Sequence, residues 1–121
     1  MNREIKFRAF DDGKMLSMPN GLNYAISNFF AKLRGDAIIM QYTGREDAEI
    51  NGEEVWEGDI IENCDTKLLQ IVYWNIDQAA WYCRYLSDKK RVISLCESLG
   101  NLNKRVGNIY ENPELTLPSK D

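Results

Sequence analysis

The chain has no histidine among its 121 residues. That absence excludes the Ser-His-Asp and Cys-His plans of nucleophilic catalysis, imidazole general acid–base work and every zinc site with a His ligand. Catalysis by carboxylate pairs, lysine or Mg²⁺ is all that stays open. Cysteine is scarce and odd in number: Cys64, Cys83 and Cys96, with no Cys-x-x-Cys spacing. Reduced thiols, packed as small buried or half-buried hydrophobes, are expected. No apolar run approaches the ~20 residues of a membrane span. Nor does the start, Arg3-Glu4-Ile5-Lys6-Phe7-Arg8, contain the continuous apolar segment of a signal peptide. A cytoplasmic protein without membrane contact is expected. No internal repeat, low-complexity tract, linker or Gly-rich phosphate loop is present.

Positive charge is missing from one stretch. Between Glu46 and Asp65 there are nine acids and no Lys or Arg, whereas the rest of the chain has ten acids against fifteen bases. The net charge of −4 disfavours general polyanion binding. The asymmetry suits self-association of an acidic edge with a basic patch, and it also suits simple solubility. Size and composition fit one domain, 1–121, with a core that needs no staples.

The residues that are there alternate mostly with period two. Ile5, Phe7 and Ala9 alternate with Lys6, Arg8 and Phe10, which predicts a strand. Asp11-Asp12-Gly13-Lys14 turns the chain into a second strand at Met15-Leu16-Ser17-Met18. Leu22, Ile26, Phe29 and Leu33 have helical spacing, so 22–33 is read as a helix, with two strands as the competing reading. Ala37–Tyr42 is a strand that Thr43-Gly44 should end. The polar residues 46–51 should be exposed, and Asn51-Gly52 is a tight-turn signal. Val55-Trp56 pins the loop to the core. Glu57-Gly58-Asp59 turns the chain into a strand at Ile60-Ile61. Lys67–Trp74 and Ala79–Leu86 form an antiparallel meander, apolar on both faces. Val92–Leu99 reads as a short helix ended by Gly100, with Val92, Leu95, Cys96 and Leu99 on one face. Val106–Tyr110 reads as a last strand, closed by Asn112-Pro113. The expected core is Ile5, Phe7, Tyr42, Trp56, Ile60, Ile71, Trp81, Ile109 and Tyr110.

Three groups of motifs, taken together, resemble the YopX-like family of phage and prophage proteins. They are Arg3–Phe10; Met40-Gln41-Tyr42-Thr43-Gly44 with Trp56-Glu57-Gly58-Asp59-Ile60-Ile61; and Gly107-Asn108-Ile109-Tyr110-Glu111-Asn112-Pro113-Glu114-Leu115. The resemblance implies a small, mostly β protein and carries over no catalytic residues. The motif positions also have a folding role. A Gly-Asp turn followed by antiparallel strands is how many small SH3-like barrels begin. Tyr42, Gly44, Asn51, Gly52, Trp56, Gly58, Asp59, Gly107, Asn108, Tyr110 and Pro113 are accordingly assigned to structure. The fold class expected is mainly β, a small SH3-like, partly open barrel or bent antiparallel sheet. Residues 1–45 supply N-terminal strands and the helix, 46–115 the barrel-like meander, and 116–121 a frayed tail.

Four chemical readings follow. Asp47-Ala48-Glu49-Ile50-Asn51-Gly52 mimics the start of an EF-hand loop, but Gly58 stands where the bidentate Glu should be. A charged hairpin is the better reading, and no metal or other cofactor is assigned. Glu57 with Asp59 is the most plausible pair for a carboxylate- or Mg²⁺-dependent enzyme. A single-stranded nucleic-acid surface could be built from Trp74, Trp81, Tyr82 and Arg84, near Lys89-Lys90-Arg91, by stacking beside cations. The leading reading is a non-enzymatic binding or assembly module that forms a homo-oligomer.

Overall fold

The computed structural model describes residues 6–18, 30, 33–47 and 52–116. Nine strands and one short helix are formed by these residues, in two sheets. The first sheet contains β1 (Phe7–Asp11), β2 (Lys14–Ser17), β3 (Ile38–Glu46) and β4 (Glu54–Trp56), in the order β2-β1-β3-β4. The second contains β5 (Asp59–Asn63), β6 (Leu69–Asn75), β7 (Ala80–Tyr85), β8 (Val92–Ser94) and β9 (Asn103–Asn108), in the order β8-β7-β6-β5-β9. Helix α1 (Leu95–Leu99) follows β8, and a single 3₁₀ turn spans Pro113–Thr116. The result is the mainly β, barrel-like fold that the alternating pattern predicts.

Local chemistry explains most boundaries. The β1–β2 hairpin pairs Asp11 with Lys14, so its turn is Asp12-Gly13. Both turn residues have positive φ, 52° and 75°, the signs that the right-handed strand twist demands of a two-residue loop. Strand β3 does not stop at Thr43-Gly44, as expected. Its register with β4 shifts between Tyr42 and Arg45, and the strand runs on to Glu46. The Gly marks a bulge there, not a terminus. The Thr43 hydroxyl steadies it by donating to the Val55 carbonyl at 2.6 Å and accepting from the Arg45 N–H at 3.2 Å.

Two further boundaries differ from expectation. The stretch predicted as one helix from Val92 is a strand as far as Ser94 and a helix only from Leu95. β-Branched Val92 and Ile93 pair with Arg84 and Cys83. Ser94 then caps the helix by accepting the Glu97 N–H at 3.3 Å. The Ser-x-x-Glu spacing is an N-terminal helix signature that marks this boundary in the sequence. Cys96 is consequently exposed, not on an inward face. The last strand runs over Asn103–Asn108, earlier than Val106–Tyr110. The Asn108 carboxamide ends it by accepting the Tyr110 and Glu111 N–H groups at 3.0 and 2.8 Å, a local competition that Asn side chains make readily. The helix expected over 22–33 lies outside the described residues, apart from Phe30, which is helical, and Leu33.

The core lies inside the curl of the second sheet. Val55 from β4 joins Ile61, Val72, Cys83 and Leu95, with Trp81, Ile93 and Leu99 packed against them. Among the expected core residues, Tyr42, Trp56 and Ile60 are buried. Phe7, Ile71, Trp81, Ile109 and Tyr110 are half-buried, and Ile5 lies outside the described residues. Burial pushes the Cys83 thiol up to about 12, so it stays protonated and unreactive at neutral pH.

Two motif glycines are set by close approach. Gly58, at φ 85°, turns β4 into β5, and a Cβ there would lie 3.3 Å from the Tyr110 ring. At Gly107 a Cβ would lie 2.4 Å from Asn112 Oδ1, the atom that accepts the Asn108 N–H at 3.1 Å. Gly35 has open space around its Cβ position and no positive φ. Gly58→Ala and Gly107→Ala should each cost about 1–3 kcal/mol in urea unfolding, through strain in the first and a broken turn in the second. Gly35→Ala should be within ~0.5 kcal/mol of wild type. Equal effects at all three positions would contradict this account.

Candidate functional site

Two constellations stand out: a buried ionic cluster between the sheets and an aromatic pair at the end of the β6–β7 hairpin. The cluster centres on Asp59, placed at the start of β5 by the Gly58 turn. Asp59 has no solvent exposure. Its Oδ1 accepts Arg8 Nη2 at 2.5 Å, and its Oδ2 accepts Arg105 Nε at 3.0 Å and the Trp56 N–H at 2.7 Å. The Arg8 guanidinium also lies 5.1 Å from the Trp56 ring centroid. Lys6, likewise buried, pairs with Glu54 and sits 4.6 Å from the Tyr42 ring centroid.

Arg105 extends the cluster to the β3–β4 loop. Its Nη1 reaches Glu53 at 3.3 Å, and its backbone N–H donates to Asp47 Oδ2 at 3.0 Å. The other Asp47 oxygen accepts the Glu53 N–H at 2.5 Å. Asp47 is therefore buried, contrary to the exposure expected of 46–51, because it closes its own loop and ties that loop to β9. Burial pushes the Asp59 carboxyl above the usual carboxylate range, against the pull of Arg8, Arg105 and the Trp56 N–H. Burial likewise lowers Arg8, against the pull of Asp59. For Arg105 burial acts downward as well, but Asp59 and Glu53 outweigh it and hold it above its ordinary value.

These bonds occupy the groups on which carboxylate chemistry would draw. Both Asp59 oxygens are taken, and Glu57 Oε1 accepts the Gln41 N–H at 3.1 Å. Both Asp47 oxygens, at the start of the EF-hand-like run, are taken too; 48–51 lie outside the described residues. Among the described residues no three Cys, Asp or Glu side chains are grouped to hold a metal ion. Sequence reasoning missed the cationic half of the cluster, Lys6, Arg8 and Arg105. A signal for it existed: nine acids without a local base must find cations elsewhere, and Lys6 and Arg8 sit at alternate positions of the first strand.

The motif residues sit where they shape the backbone. Trp56 packs on Tyr42, with ring centroids 5.3 Å apart. Gly44 is at the bulge, and the Gly52 N–H donates to the Asp47 carbonyl at 3.1 Å. Tyr110 stacks on Phe10 at 5.7 Å. Pro113 opens the 3₁₀ turn where regular structure was expected to end. Asn51 lies outside the described residues.

The aromatic candidates divide between two faces. Trp74 pairs with Trp81 and Tyr73 with Tyr82 across the β6–β7 ladder. Side chains alternate along a strand, so Trp74 and Trp81 share the face of core residues Val72 and Cys83. Tyr82 and Arg84 share the opposite face with Tyr73 and Ile71. The two indoles meet edge to face at 5.1 Å, with Trp74 43 % exposed and Ile76, next along the turn, 82 % exposed. Trp81 is half-buried, and its Nε1 is buried without a hydrogen-bond acceptor. On the other face Arg84 lies 5.2 Å from the Tyr73 ring centroid. Tyr82 and Arg84 are both half-buried.

Removing one member of a buried ion pair leaves the other uncompensated and costs about 3–5 kcal/mol. Asp59→Asn should therefore destabilise by about that amount in urea unfolding. Arg105→Met should cost less, about 1–2 kcal/mol, because that guanidinium is partly solvated. A loss under ~1 kcal/mol for Asp59→Asn would mean that the cluster does not hold the sheets together.

With this geometry established, the chain can be compared with known proteins. The YopX protein family matches residues 23–116, a span that starts after β2 and includes β3 through the 3₁₀ turn. The Arg3–Phe10 segment precedes the matched residues. Among solved structures, the fold is similar to that of protein EF1440 from Enterococcus faecalis, with a TM-score of 0.66 and 23 % identity over 96 % of this chain and 100 % of that one. No curated protein matches the chain. The matched span covers well over half of the residues, and the chain belongs to the YopX family.

Proposed function

We propose that this YopX family member is a non-enzymatic binding or assembly module, encoded by a phage or prophage and working in the host cytoplasm. Its contact surface is the free end of the β6–β7 hairpin. The observation behind this reading is a division of labour among side chains. The charged groups that could do chemistry are bonded to one another between the sheets, while large apolar groups, Trp74 and Ile76, stand in solvent at the hairpin end. Adjacent exposed apolar side chains of this kind mark interaction sites. No helix among the described residues is long and apolar enough to cross a membrane.

The reading requires Trp74 to be dispensable for folding. Trp74→Ala should cost only about 1–2 kcal/mol, the worth of an aromatic pair and partial burial. Trp56→Ala, in the core, should cost about 3–5 kcal/mol. The Trp74→Ala, Ile76→Ser double variant should also bind less of the apolar dye anilinonaphthalene sulfonate than wild type. Equal costs at Trp74 and Trp56 would make the hairpin indole a core residue and remove the basis of the proposal.

A second reading, single-stranded nucleic-acid binding, is favoured by the opposite face of the hairpin. Arg84 lies over Tyr73, Arg91 lies 4.2 Å from the Tyr85 ring centroid, and Lys89 and Lys90 are exposed nearby. Cations beside aromatic rings are the usual means of stacking bases without reading sequence. On this reading a labelled oligothymidine binds at low salt, weakens steeply as salt rises and loses affinity in Arg84→Ala. Absence of binding at low salt would dismiss it.

A further inference from the structure

The β6–β7 hairpin outruns its neighbours. On one side, β5 pairs with β6 only through Ile60–Glu62 opposite Ile71–Leu69, and the Gly58 N–H adds one bond to the Val72 carbonyl. On the other, β8 pairs with β7 only as far as Tyr82 opposite Ser94. The ladder of the hairpin itself continues through Trp74–Trp81 and Asn75–Ala80. Backbone groups alternate sides along a strand. Because the Val72 carbonyl faces β5, the N–H and C=O of Trp74 face the same way, beyond the point where β5 has turned off into Gly58. Among the described residues, no backbone group outside the hairpin bonds to Trp74. The end of β6 is thus an open edge that carries a half-exposed indole.

Folded proteins usually guard such an edge with Lys, Pro, a bulge or a covering segment. Here the guards are missing. From Leu69 to Tyr82 the only charged residue is Asp77, and there is no Pro. The lack of any cation at this end gives a polyanion nothing to hold. The lack of repeated charge along the edge means that a second copy of the same edge meets no like-charge repulsion.

Resting on the reading that the hairpin end is a contact surface, we propose that its occupant is a second copy of this chain. The two β6 strands pair antiparallel about a two-fold axis near Trp74. Antiparallel pairing of identical edges is self-complementary: each Trp74 N–H meets the carbonyl of the other copy. The pairing joins the second sheets of two protomers into one. It also sets the two Trp74 indoles side by side on the Trp81 face, so that the edge-to-face pair becomes a row of four rings. The contact is a short strand pair with a few apolar side chains, below the ~1,200 Å² of standard interfaces. The dimer is therefore concentration-dependent, with a Kd in the micromolar range on the order of 10–100 µM.

The test is sedimentation velocity from about 1 to 500 µM, a range that brackets that Kd, at low and high salt. Wild type should move from monomer to dimer with concentration, to the same extent at both salts. Trp74→Lys should raise the Kd at least about tenfold, a loss of ~1.4 kcal/mol, with an unchanged circular dichroism spectrum, and Trp74→Phe should retain the dimer. A dimer that Trp74→Lys leaves intact, or one that dissolves in salt, overturns the inference and points to charge-driven association through the acidic segment. A wild-type monomer throughout also overturns it, while a low stability cost at Trp74 would leave the contact-surface reading standing. Should Trp74→Lys fail to fold, amide exchange in the wild type decides: the Trp74 amide slows with protein concentration if the edge pairs, and not otherwise.

Discussion

A single buried carboxylate joins the two halves of this molecule. Asp59 belongs to the second sheet, Arg8 to the first and Arg105 to the strand that closes the second on its far edge. Each brings a charge that would be costly to bury alone. The three are buried together because each compensates the others, with the Trp56 N–H filling the remaining site on Asp59. Such a joint is directional, unlike apolar packing. A guanidinium reaches a carboxylate oxygen in few geometries, so the joint fixes the angle between sheets as well as their contact.

The charge asymmetry of the chain follows from the same joint. The acidic stretch from Glu46 to Asp65 lacks a base, yet several of its members are neutralised from a distance. Asp59 takes Arg8 and Arg105, Glu53 takes Arg105, and Glu54 takes Lys6. Charge that reads as a solvated run is in part an internal latch. Asp47 shows why composition misleads here: its oxygens accept backbone N–H groups from its own loop and from β9, so burying it satisfies donors that would otherwise be orphaned.

The motifs that mark the family are backbone devices around this joint. Gly58 lets the chain turn so that Asp59 points inward, and Gly107 leaves room for the Asn112 carboxamide that holds the end of β9. Neither position offers a reactive group to solvent. The surface left for interaction lies elsewhere, at the end of the β6–β7 hairpin, where the neighbouring strands have ended and the two indoles are no longer covered. The core and the contact surface are thus continuous, since Trp74 extends the row that Val72 and Cys83 begin inside.

Much of the fold was legible in the residues. Period-two alternation placed the strands at β1, β5, β6 and β7, and Asp12-Gly13 and Glu57-Gly58-Asp59 marked their turns. The absence of histidine narrowed the chemistry before any fold was known. These are local properties: a strand's alternation and a glycine's positive φ are written within a few residues. Tertiary structure alone decided that Lys6, Arg8 and Asp47 are buried, that Gly44 bulges a strand where it was expected to end one, and that Trp74 and Tyr82 face opposite ways. Each depends on partners about 40 to 60 positions distant or on strand register. A charged side chain carries no mark of whether its counter-ion lies in water or across the core, because the balance between desolvation and pairing is set only when the two sheets meet.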